Sequence, residues 1–352
     1  MRTMTYFEDL STEIIFEIFE YLDFCHTFKT FSGLNYRFYR LFHDPLFPIK
    51  IELSSMSKLT FQHYYTNNVI PHQQKIKSLQ VSSAFMVDSI FSPNSAPLKL
   101  VQLKQLTLHN VSESKYFYNL LQYIPTLSNI TSLILTCKHQ VENKSLIYEQ
   151  IFRIPRLKYC RVSFDKTNKY DLLPLATNEF SPIETFIIND RCSFSEFYIF
   201  LSYVPKLRRL TIPNLSKDFK EQITSYTIPL KDLKYLSVDS DYIDFGQFEV
   251  MVRNIFPSVE VLHMKIEDFN EYFDANRWEQ LVTDFIPHLR NFKLKLSCYI
   301  DFFKSPNHCM KAIEQFNSTF WSERRWFFDH IFDDGLFGQR VILYSKKFSK
   351  IK

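Results

Sequence analysis

The chain has 352 residues, 45% hydrophobic and 23% charged, and its 37 phenylalanines and 20 tyrosines make rings the main material of any core. A net charge of +4 on this length is small and points to neither nucleic acid nor membrane. The four glycines, Gly33, Gly246, Gly335 and Gly338, are too dispersed for a Walker-type phosphate loop, a dinucleotide fingerprint or a nucleophile elbow, which need two or three at short fixed spacing.

The first residues lead into acidic side chains rather than an apolar segment, so no secretory signal is expected. No stretch reaches the roughly 18 apolar residues of a membrane span. The cysteines, Cys25, Cys137, Cys160, Cys192, Cys298 and Cys309, form no CxxC pair, and reduced thiols in the cytoplasm and/or nucleus are expected. Cys137 with His139, and His308 with Cys309, lack a second pair at ligand spacing, so neither metal nor cofactor is expected.

Ile14, Ile15, Ile18, Phe19 and Leu22 form an apolar stripe at helical spacing, with Ser11 as its cap. Phe24, Thr27, Phe28 and Phe31 suggest a second helix. After Gly33, the positions Leu34, Phe38, Leu41 and Phe42 give the face of a third, which Asp44-Pro45 closes. A three-helix module over residues 5–47 is expected. So short a unit cannot bury all this apolar surface, and the excess must face the rest of the chain or another protein.

From residue 48 onward an apolar-x-x-apolar-x-apolar segment recurs. It is seen at Ile76-Leu79-Val81, Leu103-Leu106-Leu108, Ile130-Leu133-Leu135, Leu157-Cys160-Val162, Ile183-Phe186-Ile188, Leu207-Leu210-Ile212, Leu233-Leu236-Val238, Val259-Leu262-Met264 and Leu289-Phe292-Leu294. Successive anchors are separated by 27, 27, 27, 26, 24, 26, 26 and 30 residues, which chance apolar runs do not maintain. Ile49 and Ile51 begin an incomplete first unit, with Lys58 to Val69 as its helix. Between strands, helical faces end at prolines: Phe117, Leu120, Leu121 and Ile124 before Pro125, and Phe197, Phe200, Leu201 and Val204 before Pro205, with Ser193 as cap. Phe248, Met251, Val252 and Ile255 precede Pro257, and Trp278, Leu281, Val282 and Phe285 precede Pro287. Such units bury their apolar faces only by stacking, and a curved open stack is expected over a closed sheet with crossover helices.

In each strand the residues between anchors point to the other face. This gives a concave lining of Gln105, Thr107, His109, Ile134, Tyr159, Arg161, Ile187, Arg209, Tyr235, Asp239, His263, Lys265, Lys293 and Lys295. The last three lysines make a basic end suited to an acidic or phosphorylated partner. Residues 301–352 are expected to cap the array, with Trp321, Trp326, Phe327 and Phe328 closing its apolar end and Val341 to Tyr344 as a late strand. The lysine tail, Lys346, Lys347, Lys350 and Lys352, is expected to be a solvated charge run.

The L-x-x-L-x-L strand with a helix behind it, as in Leu207-Arg208-Arg209-Leu210-Thr211-Ile212, resembles the leucine-rich repeat, without its usual asparagine. Residues 10–47 resemble the F-box: Leu10-Ser11-Thr12-Glu13, Ile14-Ile15, Ile18-Phe19-Glu20-Tyr21-Leu22, then Phe38, Leu41 and Leu46-Phe47. Ser11 replaces that pattern's proline, and Phe38 and Phe47 its tryptophans. Together the resemblances imply an α/β protein: a three-helix F-box-like module (5–47), a leucine-rich-repeat solenoid of strand-helix units (48–300), and a C-terminal cap with a basic tail (301–352). They imply a non-catalytic substrate receptor of a cullin-RING (SCF) ubiquitin ligase. Leu10, Ser11, Ile14, Ile15, Ile18, Phe19, Tyr21, Leu22 and Phe38 would form or support the face that meets a Skp-type adaptor and, through it, the cullin. The concave face would hold a protein substrate, with no nucleic acid or membrane involved. Two other functions compete: a repeat scaffold outside any ligase, whose helical N-terminus only caps the stack, and an RNA-binding solenoid using the basic strands and aromatics.

Overall fold

In a computed structural model of the protein, the described residues are 6–44, 47–54, 56–91, 99–111, 120, 122–167, 172–178, 180–216, 229–240, 243–303, 305–335 and 338–346. The chain divides into two compact units, 1–171 and 172–352.

The first unit opens with a 3-10 turn, Phe7–Asp9, followed by helices α1 (Thr12–Glu20), α2 (Phe24–Phe31) and α3 (Tyr36–His43). Helices of eight or nine residues do not persist alone in water, so capping and packing must hold them. The Ser11 hydroxyl accepts from the Ile14 N–H at 3.4 Å, and the Asn35 side chain accepts from the Phe38 N–H at 3.1 Å. Phe19, 1% exposed, is central to the packing: the rings of Phe7, Phe31, Phe38, Phe42 and Phe47 lie 5.2–6.4 Å from its own.

Strand β1 (Ile49–Leu53) is tied to these helices. The Asp23 carboxylate accepts from the Glu52 N–H at 3.0 Å, and Lys75 Nζ donates to the carbonyls of His43 and Asp44 at 3.3 and 3.4 Å. The expected three-helix F-box start therefore does not match these helices. A leading turn adds Phe7, stacked 5.8 Å from Phe38, and the core continues through Phe47 toward β1 instead of closing on itself. Leu46, which the F-box resemblance drew on, lies outside the described residues.

Strands β1, β2 (Ile76–Val81), β3 (Gln105–Val111), β4 (Ser132–Val141) and β5 (Tyr159–Thr167) run parallel, each beside its predecessor. Their anchors are in register: Leu79 faces Leu106, which faces Leu133, which faces Cys160. All four are at most 1% exposed.

In the second unit, β6 (Thr185–Ile188), β8 (Arg209–Ser216), β9 (Tyr235–Ser240), β10 (Val261–Glu267) and β11 (Asn291–Tyr299) are again parallel neighbours, with the short β7 (Cys192–Ser193) beside the end of β8. Phe186, Leu210, Leu236, Leu262 and Phe292 form one buried row. Helix Phe194–Tyr203 begins with a capping box, Ser193 Oγ accepting from the Glu196 N–H and the Glu196 carboxylate from the Ser193 N–H. Helices Phe245–Ile255 and Ala275–Phe285 end just before Phe256-Pro257 and Ile286-Pro287. The hairpin of β12 (Phe328–Gly335) and β13 (Gly338–Ser345) closes the order, with β13 antiparallel to β11. Trp321, Trp326 and Phe328 are buried around Phe292 and Phe316, leaving these rings no open face for stacking bases.

The expected leucine-rich-repeat solenoid is overturned. Strands and helices alternate in open sheets that are not closed, and the second unit is mixed, ending in antiparallel strands. The connections are not copies of one coil. One is a helix from Lys58 to His72 interrupted by a π-helical stretch, Tyr65–Val69; another is the seven-residue helix Ala84–Ile90. Before β4 the described residues Leu120, Gln122 and Tyr123 are helical and lead into a 3-10 turn, Ile124–Thr126, Phe117 and Leu121 lying outside the described residues, whereas residues 172–178 and 180–184 hold no helix. A step of 24–30 residues specifies parallel neighbours joined by a crossover, which any open parallel sheet satisfies. Among the described residues no helix is long and apolar enough to cross a membrane.

Phe19→Ala is expected to lower the free energy of unfolding by about 3–5 kcal/mol. Tyr21→Ala, on a ring 82% exposed, should change it by no more than about 0.5 kcal/mol. Urea unfolding followed by circular dichroism measures both.

Candidate functional site

The nine N-terminal residues singled out from the sequence fall into separate environments. Ile15, Phe19 and Phe38 are sealed in the ring cluster at 0–1% exposure. Leu10 is half-buried, and its carbonyl accepts from the Arg37 guanidinium. Ser11 is exposed and spent on capping. Ile14, Ile18, Tyr21 and Leu22 sit at i, i+4, i+7 and i+8, one side of α1 and its C-terminal turn. Ile18 is half-buried, while Ile14, Tyr21 and Leu22 are 45%, 82% and 41% exposed. Leu34, expected on the apolar face of the third helix, precedes α3 and is exposed, and the exposed Tyr36 and Tyr39 were not singled out. The i, i+3 spacing of the two tyrosines on α3, opposite buried Phe38 and Leu41, could have found them.

On the strands, the period-two argument places the lining residues opposite the core. In the first unit Gln105, Ser132 and Tyr159 share one register row, and Thr107, Ile134 and Arg161 the next. His109 Nδ1 lies 3.3 Å from Thr136 Oγ1.

The second unit gathers the more connected set. Arg209 and Tyr235 are register neighbours, with the guanidinium 4.2 Å above the phenol ring. The Tyr235 hydroxyl lies 3.1 Å from His263 Nδ1, the two rings meeting edge to face. His263 is in register with Lys293, and Asp239 with Lys265 and Lys265 with Lys295. Burial, reinforced by Lys293 and Arg209, holds the His263 imidazole below its ordinary pKa. His263 Nε2 is buried without a hydrogen-bond partner among the described residues.

The expected basic end is less basic than its lysines suggest. Lys265 Nζ is 2.8 Å from Glu267, and Arg340 reaches Glu267 at 3.7 Å and Asp268 at 2.8 Å. The hydrogen bond from Lys265 is the main influence holding the Glu267 carboxyl below its usual range. Arg340 comes from the β12–β13 hairpin, so no local pattern around β10 marked it. Beyond the carboxyl ends of β8, β9 and β10 lies a cleft of ≈ 340 Å³ whose wall includes Arg191, Ser216, Asp239, Ser240, Lys265 and Glu267. This is the usual ligand position of open parallel sheets. The Ser216 and Ser240 hydroxyls donate to the carbonyls of Cys192 and Leu215.

Burial pushes the Cys160 thiol up and raises Cys298 to about 12, so both are poor nucleophiles. Among the described residues no group of three or more His, Cys, Asp or Glu stands together to hold a metal ion. No protein-family model and no curated protein matches the chain.

Because Glu267 is held below the ordinary glutamate pKa of about 4.3, its contribution to stability is complete above that pH and is lost as pH falls through the folded-state value. Glu267→Gln should lower the melting temperature at pH 7 by the equivalent of under about 1 kcal/mol, as suits a partly exposed pair. Melting curves recorded in steps below pH 4 should show that difference shrinking.

Proposed function

We propose that the chain is a non-catalytic adaptor: its N-terminal helices dock a Skp-type adaptor, and through it the cullin scaffold of a ubiquitin ligase, while the outward strand faces hold a protein substrate. The observation that carries this reading is the two-sided character of α1. Ile15 and Phe19 anchor it to the ring cluster, and Ile14, Tyr21 and Leu22 present apolar surface to solvent on one stripe. Scattered apolar side chains on a surface need no explanation, whereas a stripe at i, i+7 and i+8 on one short helix fits an interface. The resemblance of residues 10–22 to the F-box pattern in sequence is what names the partner. A cytoplasmic or nuclear setting, with neither nucleic acid nor membrane as partner, belongs to the same proposal.

The bonds from Asp23 to Glu52 of β1, and from Lys75 to His43 and Asp44 at the end of α3, favour a second reading, a scaffold outside any ligase in which the helices only seal the end of the first unit. One experiment separates the two. Ile14→Asp with Leu22→Asp alters only exposed positions and should leave the fold intact. In the first reading the unmodified chain co-purifies with a Skp-type adaptor and cullin, and the double variant loses at least about tenfold of that binding, since two interface anchors are gone. If the unmodified chain captures no Skp-type adaptor, the ligase assignment is wrong.

A further inference from the structure

The second unit's outward face contains a buried ring nitrogen, His263 Nε2, without a hydrogen-bond partner among the described residues. Tyr235 and His263 share a hydrogen bond at 3.1 Å, and the Arg209 guanidinium 4.2 Å over the phenol ring withdraws electron density from it. A cation on that ring makes the hydroxyl a better donor, so Tyr235 donates to Nδ1. The neutral imidazole then carries its proton on Nε2. That N–H is buried and has no partner among the described residues, an arrangement that folded chains ordinarily avoid.

Every element beside His263 contributes to its surroundings. β8 brings Arg209 and Thr211, β9 brings Tyr235, Ser237 and Asp239, and β11 brings Lys293 and Lys295. β10 itself adds Lys265 and Glu267, which engage each other at 2.8 Å. Asp239 sits in register with Lys265 and so belongs to the next row. What faces the imidazole is therefore mainly Arg209 and Lys293, the two cations that disfavour its protonation.

We propose that the face formed by Arg209, Tyr235, His263 and Lys293 binds an oxyanion, a carboxylate or phosphate carried by a polypeptide, with His263 Nε2–H as its buried donor. The proposal rests on the reading of the outward strand face as a recognition surface, and it names the chemistry recognised there. The oxygen accepts from Nε2–H, and the guanidinium and ammonium supply the countercharge. Lys293 is exposed on a flexible stem, so it can swing aside as the oxygen enters and close over it afterwards. The bound anion also offsets the repulsion from Lys293 and Arg209 that, added to burial, keeps the imidazole neutral. Binding and protonation of His263 are thus coupled, each favouring the other.

The test uses the full chain with no ligase component, so it is independent of whether a Skp-type adaptor binds. Three fluorescein-labelled heptapeptides serve as probes: seven glutamates, seven glutamines, and a glycine-serine peptide with one central phosphoserine. Anisotropy titrations at pH 7.5 and pH 5.5 compare them, with the glutamate peptide as the reference because it keeps its charge over that window. The glutamate or the phosphoserine peptide should bind at least about tenfold more tightly than the glutamine peptide, and the stronger of the two identifies the source of the oxyanion. Binding of the glutamate peptide should tighten as pH falls below the ordinary histidine range, and His263→Gln should abolish that pH dependence. Arg209→Gln, at an exposed position that does not threaten folding, should weaken binding severalfold, while Lys231→Gln, an exposed lysine outside the row, should not. Equal binding of all three peptides would overturn the proposal. So would equal loss in Arg209→Gln and Lys231→Gln, which would mean attraction to net charge alone, or a pH dependence that survives in His263→Gln.

Discussion

One constraint underlies everything else: in each strand alternate side chains are sealed, and parallel neighbours keep their sealed positions in register. Leu79, Leu106, Leu133 and Cys160 make one such row, and Phe186, Leu210, Leu236, Leu262 and Phe292 another. Each large apolar side chain taken out of water in this way is worth about 1.5–3 kcal/mol. A slip by one residue would exchange core for surface along a whole strand. The same rule that buries Leu236 and Leu262 therefore lifts Tyr235 and His263 to the opposite face. The polar row is assembled by the packing of the core.

At the N-terminus rings take over the role that strand register plays elsewhere. Helices this short survive because Phe19 gathers five other rings around itself, and because Asp23 and Lys75 bond them to the strands that follow. A helix held from one side keeps its other side available. Ile14, Tyr21 and Leu22 occupy that side. Stability and availability are thus two consequences of one arrangement, which is why the interaction reading rests on α1.

Much of the local structure was legible in the residues. The recurrent apolar anchors lie in or at the edge of strands, Ser11 and Ser193 cap helices, and the helices before Pro205, Pro257 and Pro287 stop where proline geometry requires. The architecture was not. A regular step says which strand lies beside which, but nothing about what backs them, and the solenoid expectation failed on that difference. Arg340 illustrates the other blind spot: its partner Asp268 is 72 residues away, joined only when β13 returns beside β11. The orphaned Nε2 of His263 is equally invisible in sequence, because it depends on Tyr235 claiming the opposite nitrogen. The F-box-like pattern named residues without separating those that build the core from those that face outward. Helical spacing, once the core side was known, made that separation.

The claim that strand parity divides sealed core from recognition face is tested most directly by adjacent substitutions on one strand. Leu236→Asp places a carboxylate in the buried row, and Ser237→Asp places the same group one residue along, beside His263. Thermal unfolding of the full chain should show Leu236→Asp destabilised by more than about 4 kcal/mol. Ser237→Asp should stay within about 1 kcal/mol of the unmodified protein. Similar losses in the two variants, or the larger loss in Ser237→Asp, would contradict the account.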